Sequence, residues 1–311
     1  MAKVIGPGSL IVDVTGFAPH LPVAGETTKG STLRFGPGGK GNNQFTAAHR
    51  AGSQVKIISR RGDDVLGQIL KKHYETEGMS EEYIVVDPKG ETGSALIEID
   101  ESDAQNRIIV ILAANDLVVG ENVRAAEKDF ADCDVVLTQF ETTVDAVLTA
   151  KALAKKYKKP FILNPAPYMD VPRELFEGVD YITPNETEAE QFTGVKVDGI
   201  EGCRVAAKKF FEMGVKNVII TLGVRGVYFT DGVTELMVPA VKVKAVETTG
   251  AGDAFNGGLS TAIAEGVPMD VALKFATCTS AISVTRLGSA PSMPYRHEIL
   301  ALLEKEFGIT L

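Results

Sequence analysis

Cysteine is scarce in this sequence, and long apolar runs are missing from it. The 311 residues include only Cys133, Cys203 and Cys278, and none of them belongs to a C-x-x-C pair. This spacing gives no signal for a zinc site or a redox motif, and the odd count predicts free, buried thiols in a reducing compartment. No apolar run reaches the roughly 18 residues needed to span a bilayer, and the amino-terminal segment has no signal-peptide pattern. We therefore expect a cytoplasmic protein with no membrane partner.

An excess of positive charge is also lacking. The chain has 32 Lys and Arg residues against 41 Asp and Glu residues, a formal net charge of -9. This balance argues against a nucleic-acid partner, because the phosphate backbone attracts positive charge. The four histidines form no H-E-x-x-H or triad pattern, so we assign them structural roles. With 44% hydrophobic and 23% charged residues, the composition is that of an ordinary globular protein.

The chain does contain a regular alternation of short β-branched runs and amphipathic stretches. Helical periodicity predicts helices at residues 144–157 and 202–213. Buried strands are predicted at residues 135–139, 161–164, 181–183 and 218–222, and a β-rich run covers residues 238–246. This alternation predicts an α/β fold: a doubly wound, mostly parallel sheet with helices on both faces. Polar residues end several of these strands, at the edge where open α/β sheets bind ligands.

Two stretches interrupt the alternation and predict a second, smaller sheet. Residues 13–35 are rich in proline and glycine, and the runs 94–100 and 107–112 flank a polar turn at 101–106, which is the pattern of a β-hairpin. We expect the two stretches to pair as a β-sheet lid that excludes water from a closing active site; a peripheral sheet without a catalytic role is the alternative. The predicted division is a main α/β domain, residues 1–12, 36–92 and 113–311, and a lid, residues 13–35 and 93–112.

Residues 247–259 (ETTGAGDAFNGGL) combine a glycine turn with the start of a helix. The helical spacing that follows places Gly250, Ala251 and Gly252 at the helix amino terminus, where small residues and unpaired N–H groups favour an anion. Asp253 comes directly afterwards. It would accept the proton of an attacking hydroxyl while the N–H groups hold a transferring phosphoryl group, or it would merely cap the helix.

Two further segments are candidates for ligand binding. Residues 36–43 (GPGGKGNN) form a glycine-rich loop that could approach a polar ligand, although glycine chiefly marks turns. The segment is not a Rossmann motif, because no buried parallel strand precedes it, and not a P-loop, because Lys40 is not followed by Ser or Thr. Residues 185–190 (NETEAE) would open a helix with three carboxylates, which could hold Mg²⁺ through water or simply complement the helix dipole.

Taken together, these segments resemble the ribokinase-like (PfkB) family of sugar and nucleoside kinases over nearly the whole chain. Residues 38–43 (GGKGNN) resemble the family's amino-terminal signature G-G-K-G-x-N, and residues 248–255 (TTGAGDAF) resemble its carboxy-terminal signature D-T-x-G-A-G-D-x-F. The Asn-Pro-Ala-Pro turn at 164–167, the N-x-x-E motif at 185–188 and the T-L-G run at 221–223 match as well. Two signatures far apart in the chain favour the ligand-binding interpretations over their alternatives.

The resemblance implies ATP-dependent transfer of the γ-phosphoryl group to the primary hydroxyl of a sugar, with D-ribose, giving D-ribose 5-phosphate, as the expected acceptor. Asp253 would be the base, and Gly250, Ala251 and Gly252 would form the anion hole. The sugar site would be lined by Asp13, Gly39, Lys40, Asn43, Glu141 and Asp253. ATP would lie along Asn185, Thr221, Gly223, Gly226 and Asn256, with Glu188 organising Mg²⁺.

The resemblance also implies further ligands and partners. Many members of the family are activated by K⁺ bound near the anion hole, and that site would here involve Glu247, Thr249, Val284, Leu287 and Ser292. The lid often forms a dimer contact, so we expect a homodimer through the lid, besides the small-molecule partners sugar and ATP.

Two positions depart from the family pattern. Ile11 stands where an asparagine is expected to bind the sugar, and a site with one hydrogen-bonding group fewer should tolerate a different or less hydroxylated acceptor. Glu247 replaces the usual aspartate, and its longer side chain is expected to alter or weaken the cation site. The alternatives are a kinase of another sugar, such as fructose or 2-keto-3-deoxygluconate, a nucleoside kinase, and a non-catalytic sugar or nucleotide sensor on the same fold.

Overall fold

A computed structural model describes residues 1–103 and 105–311 of the chain. The strands in this part are β1 (Lys3–Pro7), β2 (Ile11–Ala18), β3 (Thr32–Gly38), β4 (Gln54–Gly62), β5 (Ile84–Asp87), β6 (Gly93–Asp100), β7 (Asn106–Ile111), β8 (Val135–Thr138), β9 (Phe161–Leu163), β10 (Tyr181–Ile182), β11 (Asn217–Thr221), β12 (Val227–Thr230) and β13 (Glu235–Val238). The helices are α1 (Lys40–Arg50), α2 (Val65–Glu77), α3 (Gly120–Ala125), α4 (Glu127–Asp132), α5 (Val144–Tyr157), α6 (Glu186–Thr193), α7 (Ile200–Glu212), α8 (Ala251–Ala264), α9 (Met269–Ser283) and α10 (Arg296–Phe307).

Nine strands form the main sheet, in the order β13-β12-β11-β10-β9-β8-β1-β4-β5. All neighbours pair in parallel except β12, which is antiparallel to both β11 and β13. The parallel strands are short and apolar because helices bury both of their faces. This arrangement confirms the predicted doubly wound α/β sheet.

Successive residues of the central strands point into separate cores on the two faces of the sheet. Val136 and Ile220 pack in a cluster with α3 to α7. Leu137, the next residue of β8, packs beneath α1 and α2, and Ile219 packs with α8, α9 and α10. Alternation of side chains along a strand therefore divides the helices between the two faces, as the sequence predicted.

The predicted elements of this sheet lie close to the observed ones. The helix predicted at 144–157 has those bounds in α5, and the four predicted strands differ from β8, β9, β10 and β11 by one residue at one or both ends. The β-rich run at 238–246 is different: β13 ends at Val238, and no strand follows it there. Pro239 comes next and cannot donate a ladder hydrogen bond, which explains why the strand stops.

The second sheet has the order β3-β2-β6-β7. β6 and β7 pair antiparallel, which confirms the predicted hairpin, and β2 pairs with β6 in parallel. The predicted turn at 101–106 includes Ala104, which lies outside the described residues. The strands of this sheet cover residues 11–18, 32–38, 93–100 and 106–111. The division of the chain into a domain and a lid stays a prediction.

The structure also describes the environment of the cysteines and the length of the helices. Cys133, Cys203 and Cys278 are all buried and free, as predicted. Among residues 1–103 and 105–311, every helix is too short or too polar to cross a membrane.

Candidate active site

A cavity of about 150 Å³ lies at the carboxyl ends of the parallel strands. Asn164, Thr183 and Thr221 end or follow β9, β10 and β11 and line the side nearest the sheet. Residues 250–253, the amino-terminal turn of α8, face them across the cavity. The lining is completed by Lys40, Ala166, Asn185, Glu188, Thr248 and Asn256. The two glycine-rich segments, far apart in the sequence, thus meet at the sheet edge where α/β folds bind ligands.

Asp253 lies on the first turn of α8 and is buried. Asn43 Nδ2 donates to its Oδ2 at 2.9 Å, and Gln44 Nε2 donates to its Oδ1 at 3.0 Å. The amino-terminal cap of α8 is Gly250, and no side chain caps the helix. The capping role that the sequence left open for Asp253 is therefore not the one it plays here. Both carboxylate oxygens are instead fixed by amides from another helix.

The electrostatics of the cavity couple Asp253 to Lys40. Burial raises the pKa of the Asp253 carboxyl, while Lys40 and the two amide donors oppose the rise. Burial lowers the pKa of the Lys40 ammonium, but the carboxylates of Asp253, Glu141 and Glu188 outweigh this and hold it above its usual range. The charged form of Lys40 is consequently favoured beside the turn that carries Gly250, Ala251 and Gly252.

Close packing of α1 on α8 delivers the two amides to Asp253. A Cβ on Gly257 would lie 2.4 Å from Ala47 Cβ and 2.5 Å from the backbone oxygen of Gln44. Only a glycine allows this approach of the helices. Because Asn43 and Gln44 are adjacent on α1, the approach sets the position of both donors at once.

The glycine-rich loop before α1 is held against the start of β2 and is not a free turn. Gly39 has φ 89°, a left-handed conformation that favours glycine, and a Cβ on Gly41 would lie 2.2 Å from the backbone nitrogen of Ser9. Glu141 Oε2 accepts hydrogen bonds from Ser9 Oγ at 2.6 Å and from the Lys40 backbone N–H at 2.8 Å. Glu141 therefore holds in place the segment that carries Lys40, and the Lys40 side chain lines the cavity.

Asp13 and Ile11 lie on one face of β2, opposite to the residues that pack in the core. Val12 and Val14 belong to the cluster beneath α1 and α2, so the alternating residues Ile11 and Asp13 face away from it. Asp13 Oδ2 accepts from Ser289 Oγ at 2.8 Å, and burial raises the pKa of this carboxyl to about 6. The negative charges of Glu141, Glu247 and Asp253 raise the pKa of Asp13 further.

The acidic segment at the start of α6 is both a cap and a cavity wall. Asn185 Oδ1 accepts from the Glu188 backbone N–H at 2.8 Å, and Glu188 Oε2 accepts from that of Asn185 at 2.9 Å. Of the three carboxylates, Glu188 alone lines the cavity; Glu186 pairs with Arg225, and Glu190 is exposed. Burial raises the pKa of Glu188. One carboxylate beside an anion cavity fits Mg²⁺ held through water and shared with bound phosphates.

The residues expected along ATP divide into two groups. Thr221 and Asn256 line the cavity. Asn256 already makes two bonds, accepting from Thr183 Oγ1 at 2.6 Å and donating to the Gly252 carbonyl at 2.9 Å, so it braces the anion turn. Gly223 and Gly226 form the turn between β11 and β12 and lie outside the cavity lining.

The loops expected to bind K⁺ are brought together but are already bonded to each other. The Val284 carbonyl accepts the N–H groups of Val246 at 2.7 Å and Glu247 at 3.2 Å, which leaves it no lone pair for a cation. Glu247 Oε2 accepts the Gly288 N–H at 2.9 Å. Thr249, Leu287 and Ser292 lie on the same two loops, and Ser292 Oγ donates to the Ser289 carbonyl. Val284 thus does not fit the role of a K⁺ ligand.

Sequence reasoning assigned no role to Gln44, Ser289 and Thr183, although all three bond to site residues. Gln44 directly follows the signature that ends at Asn43, and this adjacency was the one available signal. The contacts of Ser289 and Thr183 depend on tertiary packing, which spacing along the chain does not encode.

Comparison with known proteins places the chain in a family. The model of the pfkB family carbohydrate kinases matches residues 1–296. The ribokinase of Haemophilus influenzae is 38% identical over 297 residues, which cover 96% of this chain and 97% of that protein. A deoxyribokinase of Salmonella typhi is 34% identical over 304 residues, covering 96% of this chain and 98% of that protein.

A solved structure agrees with these matches. Arabidopsis thaliana ribokinase complexed with ribose and ATP has a TM-score of 0.90 with this protein at 29% identity, covering 98% of this chain and 99% of that chain. The resemblance inferred from the two signatures is therefore confirmed. The chain belongs to the pfkB family of carbohydrate kinases and is a phosphotransferase that acts on a sugar hydroxyl.

Proposed function

We propose that this protein transfers the γ-phosphoryl group of ATP to the primary hydroxyl of D-ribose and forms D-ribose 5-phosphate. One observation carries the proposal: the buried Asp253 carboxylate, fixed by two amides, lies on the helix turn that offers its N–H groups to an anion. Base and anion hole are thus successive residues of one turn. A hydroxyl that meets Asp253 is then also next to a phosphoryl group held by that turn.

Asp253 takes the proton of the sugar hydroxyl as the oxygen attacks phosphorus. General-base catalysis of this kind contributes about 10²- to 10⁴-fold. The N–H groups of Gly250 and Gly252 and the Lys40 ammonium stabilise the negative charge on the transferring group. The Ala251 N–H lies 3.2 Å from the Thr248 carbonyl and joins them when it turns from that carbonyl to the phosphoryl group. The proton moves to Asp253, the bond from phosphorus to the ADP oxygen breaks, and the bond to the sugar oxygen forms.

Mg²⁺ would be held by Glu188 through water. When bound, it neutralises charge on the ATP phosphates. For K⁺, the hydrogen bond between Glu247 and Gly288 already joins the two loops that a cation would otherwise link, so we expect little K⁺ activation.

A cytoplasmic location is also proposed. It rests on the buried free cysteines and on the family's sugar substrates.

The identity of the acceptor depends on the wall formed by Asp13 and Ile11. Asp13 can accept hydrogen bonds from two sugar hydroxyls, and the Arabidopsis relative is complexed with ribose and ATP. Ile11, on the same face of β2, is a buried apolar side chain and can give a sugar no hydrogen bond. A hydroxyl placed against it loses a partner, whereas a deoxy position does not. This favours 2-deoxy-D-ribose as the second candidate acceptor, in line with the similarity to deoxyribokinase.

The proposal is tested by measuring ADP release with Mg·ATP and a panel of sugars and nucleosides. Phosphorus NMR of the product then locates the phosphoryl group. We expect D-ribose or 2-deoxy-D-ribose to give the highest kcat/KM and the phosphoryl group to be on the primary hydroxyl. A preference for fructose, 2-keto-3-deoxygluconate or a nucleoside would contradict the proposed acceptor and leave the family assignment intact.

We also propose that the second sheet, β3-β2-β6-β7, forms the contact between two copies of the chain. Strand register places Phe35, Val14, Leu96 and Ile109 in one row across β3, β2, β6 and β7. Phe35, Leu96 and Ile109 are 53%, 43% and 63% exposed, respectively. An apolar row of this kind, continuous across a sheet, is a typical protein contact surface. A homodimer that packs these rows together would bury them.

A further inference from the structure

Gln44 is a buried amide on α1 whose side chain bonds to the base and to the end of β9. Its Nε2 lies 3.0 Å from Asp253 Oδ1 and 3.0 Å from Asn164 Oδ1. Asn164 is itself oriented, because its Nδ2 donates to the backbone oxygen of Thr183 at 2.9 Å. The end of the Gln44 side chain therefore lies between two acceptor oxygens. Only its NH₂ group can donate hydrogen bonds to both of them. The structure leaves one orientation for this amide.

The hydrogen bonds continue from Gln44 to the anion hole. From Asn164 they pass to Thr183, from Thr183 Oγ1 to Asn256 Oδ1 at 2.6 Å, and from Asn256 Nδ2 to the Gly252 carbonyl at 2.9 Å. The donor that holds the base is thus tied to the same turn that would hold the phosphoryl group. Buried networks in which each member fixes the next restrict orientation more than isolated bonds do.

We propose that Gln44 is a positioning residue that holds the Asp253 carboxylate ionised and oriented towards the acceptor hydroxyl. The inference rests on the proposed function, since it concerns the base of that reaction. Gln44 does not line the cavity. It acts through Asp253, which is 209 residues away in the sequence.

The surroundings of Asp253 make such a donor necessary. The titratable groups that influence it or are influenced by it are Lys40 on α1, Asp13 on β2, Glu141 after β8 and Glu188 on α6. Three of these four are acids, and burial further disfavours the charged carboxylate. The N–H groups of Gln44 and Asn43 stabilise the ionised form together with Lys40, so loss of the Gln44 donor raises the pKa of Asp253.

The test is the pH profile of kcat at saturating sugar in Gln44→Met and Gln44→Glu, because kcat does not respond to the change in sugar binding that the ionisation of Asp13 is expected to cause. Gln44→Met keeps the size of the side chain and removes the donor. We expect the acidic limb to move up by about 1 pH unit, so that activity falls about tenfold on that limb and recovers towards the wild-type level at higher pH. Gln44→Glu places a carboxylate against Asp253 and is expected to move the limb further in the same direction.

Thr46→Val is the matched control on the same helix. Thr46 is buried and bonds to His73 Nε2 at 3.0 Å, away from Asp253, so this variant is expected to lose thermal stability without moving the limb. If both Gln44 variants fold and their acidic limbs lie at the same pH as in the wild type, the positioning role is overturned, whatever their rates. Absence of sugar phosphorylation by the wild-type enzyme would instead contradict the proposed function, so the two failures are distinguishable.

Discussion

Asn43 Nδ2 lies 2.9 Å from Asp253 Oδ2 and joins two segments that are 210 residues apart in the chain. One segment is the glycine-rich loop that enters α1, and the other is the turn that begins α8. This bond, together with the one from Gln44 to Asp253, ties the start of α1 to the turn of the proposed anion hole. Catalysis of the proposed kind depends on this junction, because it holds the base between the sugar wall and the phosphoryl site.

Sugar affinity should depend on the ionisation of Asp13. Burial raises the pKa of this carboxyl to about 6, so it is ionised at pH 7.5 and mostly protonated at pH 5. A protonated Asp13 loses acceptor capacity, and the KM for the sugar is expected to rise by about tenfold per pH unit below 6. Steady-state kinetics between pH 5 and 8 measure this effect. A sugar KM that stays flat over that range in the wild type would contradict it.

Thermal unfolding gives an independent check on Asp13. Because its pKa is higher in the folded state than in the unfolded state, the folded state binds more protons between pH 4 and 6. The contribution of Asp13 to stability therefore decreases as pH rises through this window. Asp13→Asn removes the titration, so the variant's gain in Tm over the wild type should be larger at pH 7.5 than at pH 5. An equal difference at both pH values would argue against a raised pKa.

Two glycines of α8 should separate stability from catalysis. Gly257→Ala forces a methyl group into Ala47 and the backbone of α1, and overpacking of this kind costs about 1–3 kcal/mol. Gly252→Ala meets no heavy atom within 4 Å, so its Tm should stay near that of the wild type. Its methyl group would project into the space where the phosphoryl group is proposed to bind, and by displacing that group from an N–H donor it should lower kcat about a hundredfold.

Calorimetric Tm values and ADP release measure both variants. A stable Gly257→Ala protein would contradict the close packing of α1 on α8. A fully active Gly252→Ala protein would contradict the anion-hole role of that turn.

Several features of this site could be predicted from sequence, and others could not, for physical reasons. Val144–Tyr157 was predicted with its observed bounds because its periodicity is local and strong. The helix start at residues 250–252 was predicted from the helical spacing of the residues that follow, which is also a local pattern. The bond from Gln44 to Asp253 depends on the Gly257 contact between two helices. No local pattern encodes that contact, so the residues alone left the capping role of Asp253 open, and it was the family resemblance that favoured the base.

The response to monovalent cations tests the bond between Glu247 and Gly288. We expect similar turnover of the wild type in KCl and in NaCl, because this bond already joins the two loops. Glu247→Ala breaks the bond and should lower kcat in NaCl, whereas Glu247→Gln keeps an acceptor and serves as its control. Strong activation of the wild type by KCl would show that the loops still need a cation.

The oligomeric state tests the apolar row across the second sheet, β3-β2-β6-β7. Ile109→Lys places a charge at the β7 end of the row, on its most exposed side chain, and is expected to convert a dimer into a monomer, as measured by light scattering after gel filtration. Val233→Lys is the control, since Val233 is an exposed apolar residue in the turn between β12 and β13. A wild-type monomer at micromolar concentration, or an Ile109→Lys variant that stays dimeric, would contradict this contact.

The central claim, that Asp253 is the base of a sugar kinase, is tested most directly by ADP release from the wild type and from Asp253→Asn. Both proteins are supplied with Mg·ATP and the preferred sugar, and calorimetry with a non-hydrolysable ATP analogue verifies that both bind nucleotide. We expect sugar-dependent ADP release by the wild type and a decrease of about 10²- to 10⁴-fold in the variant, with little change in nucleotide affinity. Equal ADP release by the two proteins would contradict the role of Asp253 as the base.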